Sequence, residues 1–353
     1  MQSIYIHIPF CIKKCAYCSF NSLTDLTLID KYIISLCNEI KNQSSSYKNE
    51  LIKTIYIGGG TPTLLSPLHI SAIITQLNKY FNISKDLEFS IEANPESINQ
   101  NNMIEYRNLG INRISIGIQS FNDSELKYLG RIHTAKKARE ALDAASNVFE
   151  NINLDLIISI PKQTKNDVRK NITEALSFSP KHISCYELTY EQGTQLYNDA
   201  LRFEDNGELY LFAQEKLISS GFNQYEISNY SKNGFECLHN LTYWSDESYL
   251  GLGLSAHSYN KTKSLRSANT DIMKDYLNEN YIGFREPACE IDKFIMGLRK
   301  INGIPEKSIS KDYKQTIESL IKKDLLCKKN DRIAYTKKGL LLSNQVLLEL
   351  MNK

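Results

Sequence analysis

The segment Ile8-Pro9-Phe10-Cys11-Ile12-Lys13-Lys14-Cys15-Ala16-Tyr17-Cys18 places three cysteines in the spacing Cys-x3-Cys-x2-Cys. It directly follows Ser3-Ile4-Tyr5-Ile6-His7-Ile8, whose alternation and β-branched content read as a strand. A loop leaving the C-terminal end of a first strand delivers its side chains to the mouth of a βα fold, where ligands collect. Three thiolates there can hold three corners of a [4Fe–4S] cubane and leave the fourth iron open to a small ligand. Lys13 and Lys14, between the ligands, offset some thiolate charge. The competing reading is structural zinc, which wants four closed ligands. No fourth Cys or His follows at a natural spacing: His7 lies on the strand, and Cys37 falls on the Ile33/Cys37/Ile40 stripe of a helix.

Outward from this segment, short apolar runs alternate with helical patterns. Strands are expected at Ser3–Ile8, Thr54–Gly58, Glu88–Ala93, Arg113–Gly117, Asn153–Ile158 and His182–Tyr186. Helices are expected near Leu28–Asn42, Pro67–Tyr80, Asn101–Leu109, Ala135–Phe149 and Lys165–Phe178. Repeated βα units imply a parallel sheet with helices outside, and six of them imply a partial barrel. The fold class is α/β, a partial (β/α)6 barrel spanning residues 1–285. After that the pattern changes. Ile291–Lys300 and Ile317–Leu326 read as helices, Leu326–Thr336 as a hairpin turning at Asn330-Asp331, and Lys337–Met351 as a Leu-rich helix. Residues 286–353 are thus expected to form a small helical, winged-helix-like domain that covers the barrel or meets a partner.

Of the 353 residues, 42% are hydrophobic and 23% charged, and the net charge is +2. That balance gives no long-range field for nucleic acid. Lys322, Lys323, Lys328 and Lys329 make only a small basic patch, read as solvated surface. No run of apolar residues is long enough to span a bilayer, and the first residues read as a strand, not a signal peptide. A cytoplasmic location follows, where thiols stay reduced. Cys37, Cys185, Cys237, Cys289 and Cys327 are scattered and read as inert thiols. His69, His133 and His182 carry no motif; His257 sits in an apparent late barrel turn.

The cysteine motif, with an aromatic before its last Cys, resembles the radical S-adenosylmethionine (SAM) signature. Further motifs resemble the coproporphyrinogen-dehydrogenase-like branch of that superfamily: Gly58-Gly59-Gly60-Thr61-Pro62-Thr63, Ile91-Glu92-Ala93-Asn94-Pro95-Glu96, Arg113 to Phe121, Leu129-Gly130-Arg131, Asn153-Leu154-Asp155-Leu156-Ile157 and His239-Asn240-Leu241-Thr242-Tyr243-Trp244. The resemblance covers nearly the whole chain in order. It implies a radical SAM barrel with Cys11, Cys15 and Cys18 on the cluster, and SAM contacts at Tyr5, Gly59, Gly60, Thr61, Glu92, Gln119, Arg131 and Asp155.

Two relatives must be separated. The oxygen-independent coproporphyrinogen III oxidase has an additional Cys two residues after the third ligand, where this chain has Phe20. It also has an extension before its cysteine motif, where only ten residues precede Cys11 here. In both respects the chain resembles the HemW-type heme chaperones, in which the His239–Trp244 motif is associated with heme binding. That resemblance implies three cofactors (the cluster, SAM and heme), an acceptor hemoprotein and an electron donor. SAM cleavage stays possible, and oxidase activity on coproporphyrinogen III is the alternative. His239 is the candidate heme ligand, with Cys237 as a second candidate. From spacing alone, the favoured reading is that His239 and Asn240 bond neighbouring backbone while Tyr243 and Trp244 pack into the barrel; the resemblance reverses that preference.

Overall fold

A computed structural model describes residues 3–47, 50–202 and 207–352. Its first half alternates six strands, β1 (Ser3–Ile8), β2 (Leu51–Gly59), β3 (Asn82–Ala93), β4 (Arg113–Gln119), β5 (Asn151–Ile158) and β6 (His182–Glu187), with six helices. These are α1 (Ile29–Ser44), α2 (Pro67–Tyr80), α3 (Gln100–Asn108), α4 (Asp123–Tyr128), α5 (Ala135–Ser146) and α6 (Lys165–Ser177). The strands pair in parallel and in sequence from β1 to β6. Their order is that of a partial barrel.

Beyond β6 come α7 (Glu208–Ser219), β7 (Asn223–Gln224), β8 (Asn229–Ser231), α8 (Leu238–Trp244), β9 (Tyr249–Leu252), β10 (His257–Asn260), β11 (Leu265–Asn269), α9 (Met273–Leu277) and β12 (Ile282–Pro287). The strands extend the sheet at both sides: β8 runs antiparallel to β6, and β9 runs parallel to β1 and leads into the antiparallel β10–β12. The flanking strands and α4 are absent from the sequence reading, because two- to six-residue elements carry too few periods to register; the 12-residue α7 is absent from it too.

The strand period of two sorts the barrel. Ile4, Ile6 and Ile8 are fully buried with Tyr32 and Leu36 of α1. The alternate residues Ser3, Tyr5 and His7 face the interior, beside Thr54, Tyr56 and Gly58 in register. The same face carries Glu92 opposite Ser115 and Asn153 opposite His182. The interior is therefore polar, and its side chains must satisfy one another without bulk water.

The C-terminal segment has its own core of Phe294, Leu298, Ile317, Leu320, Ile333, Val346 and Leu350. It comprises α10 (Glu290–Gly297), β13 (Ile304–Pro305), α11 (Lys314–Lys322), β14 (Leu326–Lys329), β15 (Arg332–Tyr335), α12 (Lys337–Leu341) and α13 (Ser343–Met351). Helices with a small antiparallel sheet, ordered β13-β15-β14, make it winged-helix-like. Asn330 takes positive φ at the hairpin tip. The single closing helix expected at Lys337–Met351 is instead two, broken at Leu342. Gly339 presses α12 so closely on the Leu325 carbonyl that any Cβ there would overlap it.

Glu39 of α1 is completely buried. It accepts hydrogen bonds from Gly253 N (2.8 Å), Asn269 Nδ2 (2.6 Å) and Tyr276 OH (2.6 Å), tying α1 to the flank strands and α9. Burial pushes its carboxyl up to about 7. Because this lies above the ordinary 4.5, between that value and about 7 the native chain holds a proton there that the unfolded chain has lost. Glu39 therefore contributes most below the unfolded value, and its contribution fades as pH rises through about 7. Glu39→Ala is expected to cost about 3 kcal/mol by leaving buried donors without an acceptor. Urea unfolding of the apoprotein should show that deficit larger at pH 5 than at pH 8; a pH-independent deficit would contradict the account.

Candidate functional site

The mouth of the barrel is built by two loops that the β1–β2 ladder brings together. Gly60 N donates to Ile8 O (2.8 Å) and Thr61 N to Phe10 O (2.7 Å), so pairing continues past both strand ends into the cysteine loop. Two glycines permit it. At Gly59, φ is +115°, and a Cβ would fall 2.6 Å from the His7 ring; at Gly60 a Cβ would fall 2.6 Å from Phe10 O and 3.0 Å from Cys11 Sγ. The far side of the cysteine loop is fixed by Ala16 N donating to Leu129 O (3.0 Å). The Leu129-Gly130-Arg131 motif is thus the turn that holds Cys15 and its neighbours.

Cys11, Cys15 and Cys18 are half-buried free thiols. Thr61 Oγ1 donates to Cys11 Sγ (3.7 Å) and Arg131 Nη1 to Cys15 Sγ (3.5 Å). Arg131 Nε is buried without a partner. A loop of three thiols flanked by donors and one guanidinium suits an anionic iron–sulfur group. Among the described residues no three His, Cys, Asp or Glu side chains converge on a single-ion site. A cubane instead presents its irons at separate corners.

The other residues singled out from sequence occupy the same mouth. Tyr5 OH donates to His7 Nδ1 (3.0 Å), and His7 Nε2 lies 3.0 Å from Asn21 O. That carbonyl only accepts, so Nε2 carries the proton and Nδ1 receives Tyr5. Burial lowers the His7 pKa, which keeps this neutral form. Glu92 accepts from Gly59 N (2.9 Å) and from Tyr56 OH (2.9 Å), and burial pushes its carboxyl up to about 7. Gln119 takes positive φ, +67°, at the end of β4. Its amide, Asn94 and Arg131 all crowd the space above Gly117. Asp155 accepts from Asn153 Nδ2 (2.7 Å) and Ser115 Oγ (3.2 Å), and burial raises its pKa. Thr61 and Arg131 thus reach the cysteines, Gly59, Gly60 and Glu92 sit at the turn beside them, Gln119 joins Arg131 over Gly117, and Tyr5 and Asp155 lie further down the same inward wall. His7, Tyr56 and Asn94 belong to it too. The sequence reading passed over their roles, although inward strand parity marked His7 and Tyr56.

His239 lies elsewhere, at the opposite, N-terminal end of the strands. Helix α8 closes that floor: Thr242 Oγ1 bonds Ser3 Oγ (2.7 Å), and Leu238 N and His239 N donate to Glu88 (2.9 Å each). His239 is 1% exposed. Its Nδ1 meets Thr54 Oγ1 (2.8 Å), and its Nε2 meets Tyr243 OH (2.7 Å), as the i, i+4 spacing anticipates. Its ring stacks on Tyr56, with centroids 5.2 Å apart. Burial lowers its pKa to about 3, so the ring is neutral. Ligation of iron by either nitrogen requires exchange of one of these bonds. Cys237 is fully buried beside Glu88, its Sγ 3.7 Å from Oε1. Trp244 lies under the Arg299 guanidinium at 4.5 Å. His133, without a motif in the sequence, faces Glu96 at 3.4 Å.

Comparison with known proteins agrees with this fold. Residues 5–175 match the Radical SAM superfamily. The heme chaperone HemW of Bacillus subtilis is 35% identical over 374 residues, covering 98% of each chain. HemW of Buchnera aphidicola is 34% identical over 98% of this chain and 97% of its own, and that of Escherichia coli 35% over 82% and 79%. Among solved structures, the Escherichia coli coproporphyrinogen III oxidase HemN, titled a radical SAM enzyme, superposes with a TM-score of 0.81 at 22% identity. It covers 99% of this chain and 89% of its own. The radical SAM partial barrel is thus shown.

The close approach at Gly60 makes a direct prediction. In Gly60→Ala the added methyl must push Cys11 outward, so alkylation of Cys11 in the apoprotein should quicken several-fold while that of Cys327 stays unchanged. Mass-spectrometric mapping of alkylation rates reads this, and equal Cys11 rates would refute the packing account.

Proposed function

Because the chain belongs to the HemW family of radical SAM heme chaperones, we propose that it binds heme and delivers it to an acceptor protein. The observation that carries this reading is the relation to the heme chaperones over 98% of both chains, against a likeness of fold alone to the oxidase. Phe20, at the position of the oxidase's additional Cys, supports the same choice.

Cys11, Cys15 and Cys18 would hold a [4Fe–4S] cluster with one iron open to SAM. When bound, the pair supplies one-electron reduction of the SAM sulfonium. The protein's part is to bind, orient and exclude water. Glu92, already accepting from Gly59 N, would take the amino end of SAM alongside the Gly59–Thr61 backbone. Asp155 would take ribose hydroxyls. Tyr5, held by neutral His7, would fix the adenosyl portion, with Gln119 as a neutral donor. Arg131 would balance the thiolates. The His239–Trp244 segment would supply heme contacts. An acceptor hemoprotein and an electron donor complete the proposal, without nucleic acid and at a cytoplasmic location. Among the described residues no helix is long and apolar enough to cross a membrane.

Anaerobic reconstitution should yield about four irons and four sulfides per chain, as one cubane requires. Cys15→Ala should lose the cluster, whereas Cys327→Ala should keep it; an intact cluster in Cys15→Ala would sink the ligand assignment. Heme titration should give near-stoichiometric binding with a Soret band, which His239→Ala weakens or shifts while the cluster stays. An unchanged heme spectrum and affinity in that variant would move the ligand to Cys237 or elsewhere. No heme binding by the wild type, with protoporphyrinogen formed from coproporphyrinogen III, would establish the oxidase reading instead.

A further inference from the structure

Two of the three cysteine thiols receive a side-chain hydrogen bond, and the two donors share one partner. Thr61 Oγ1 donates to Cys11 Sγ at 3.7 Å, and Arg131 Nη1 donates to Cys15 Sγ at 3.5 Å. Asn94, the residue after β3, touches both donors. Its Nδ2 donates to Thr61 Oγ1 (2.9 Å), and its Oδ1 accepts from Arg131 Nη2 (2.6 Å). The polarity of each bond follows from this. A hydroxyl that accepts from Asn94 has its single proton free for sulfur. A guanidinium anchored through Nη2 to Asn94 Oδ1 and Gly117 O (2.7 Å) has Nη1 left for Cys15. Only a side chain with a donor and an acceptor on one planar group can orient both.

We propose that Asn94 is a positioning residue that sets the reduction potential of the cluster by aiming Thr61 at Cys11 and Arg131 at Cys15. The proposal rests on the reading that these cysteines hold the cluster. Hydrogen bonds to ligand sulfur stabilise the more negative, reduced state and raise the potential. Asn94→Leu leaves the Thr61 hydroxyl free to turn and the guanidinium free to swing. Asn94→Asp places an acceptor opposite Thr61, so the hydroxyl reverses and abandons Cys11.

The test is an EPR-monitored redox titration of the anaerobically reconstituted protein without SAM, with iron counted in each sample. Asn94→Leu should keep about four irons. At the wild-type midpoint its reduced-to-oxidised ratio should fall about tenfold, which is about 59 mV for a one-electron couple. Asn94→Asp should shift the same way and serves if the leucine variant fails to fold. Thr61→Val should reproduce part of the shift, and the Asn94→Leu/Thr61→Val pair should shift less than the sum of the two, because both remove the same bond to Cys11. A loaded variant with an unchanged midpoint would overturn the proposal, as would strict additivity. A wild type that takes up no iron would instead overturn the cluster reading beneath it.

Discussion

Pairing between β1 and β2 does not stop where the strands stop, and the mouth of the barrel depends on that continuation. The Gly60 and Thr61 amides reach the carbonyls of Ile8 and Phe10, so the cysteine loop is held in the register of the strands beneath it. The contact exists only because position 60 has no side chain. A Cβ there would collide with both the loop backbone and Cys11. Through the same approach Gly59 turns its amide to Glu92, which makes that carboxylate part of the loop's own anchorage. One backbone contact thus sets the cysteines, the glycine turn and the acidic residue in common.

Much of this was legible in the sequence. The strand Ser3–Ile8 was read with its observed ends, as was the helix Pro67–Tyr80, where Ser66 caps the first turn and Pro67 opens it. The other parallel strands were read short: β2 starts where exposed Leu51 and Lys53 flank buried Ile52, and β3 starts in Asn82–Leu87, which carries Lys85 and Asp86 and is partly exposed. The wall residues were legible as motifs, but not the ties among them. Nothing in the order of residues says that Asn94 spans Thr61 and Arg131, or that His7 holds Tyr5, since those partners meet only across the barrel. His239 was legible as one face with Tyr243. Its seat at the floor, against Thr54 and Glu88, depends on a return of the chain over some 150 residues that no local pattern encodes.

The two ends of the barrel are chemically different for a physical reason. At the mouth, backbone amides and a guanidinium converge on thiols and carboxylates. At the floor, the Glu88 carboxylate receives the first amides of α8, and Arg113, 2% exposed, lies near it among Tyr56, Tyr225 and Cys237. Charges so placed survive because each has a partner of opposite sign or a fixed dipole nearby. The aromatic column of Tyr5, Tyr56 and His239 runs from the inward wall down to the floor.

Below that floor the C-terminal segment is joined by backbone bonds, Ile227 N to Arg299 O (3.0 Å) and Ile301 N to Tyr225 O (3.2 Å), and by Arg299 pairing with buried Glu226 at 3.1 Å. The same arginine covers the indole of Trp244, the only tryptophan of the chain. The protein therefore carries its own optical gauge. A lone indole, capped by a cation where the C-terminal segment joins the barrel, changes its emission when that join opens, and no dye need be attached to watch it.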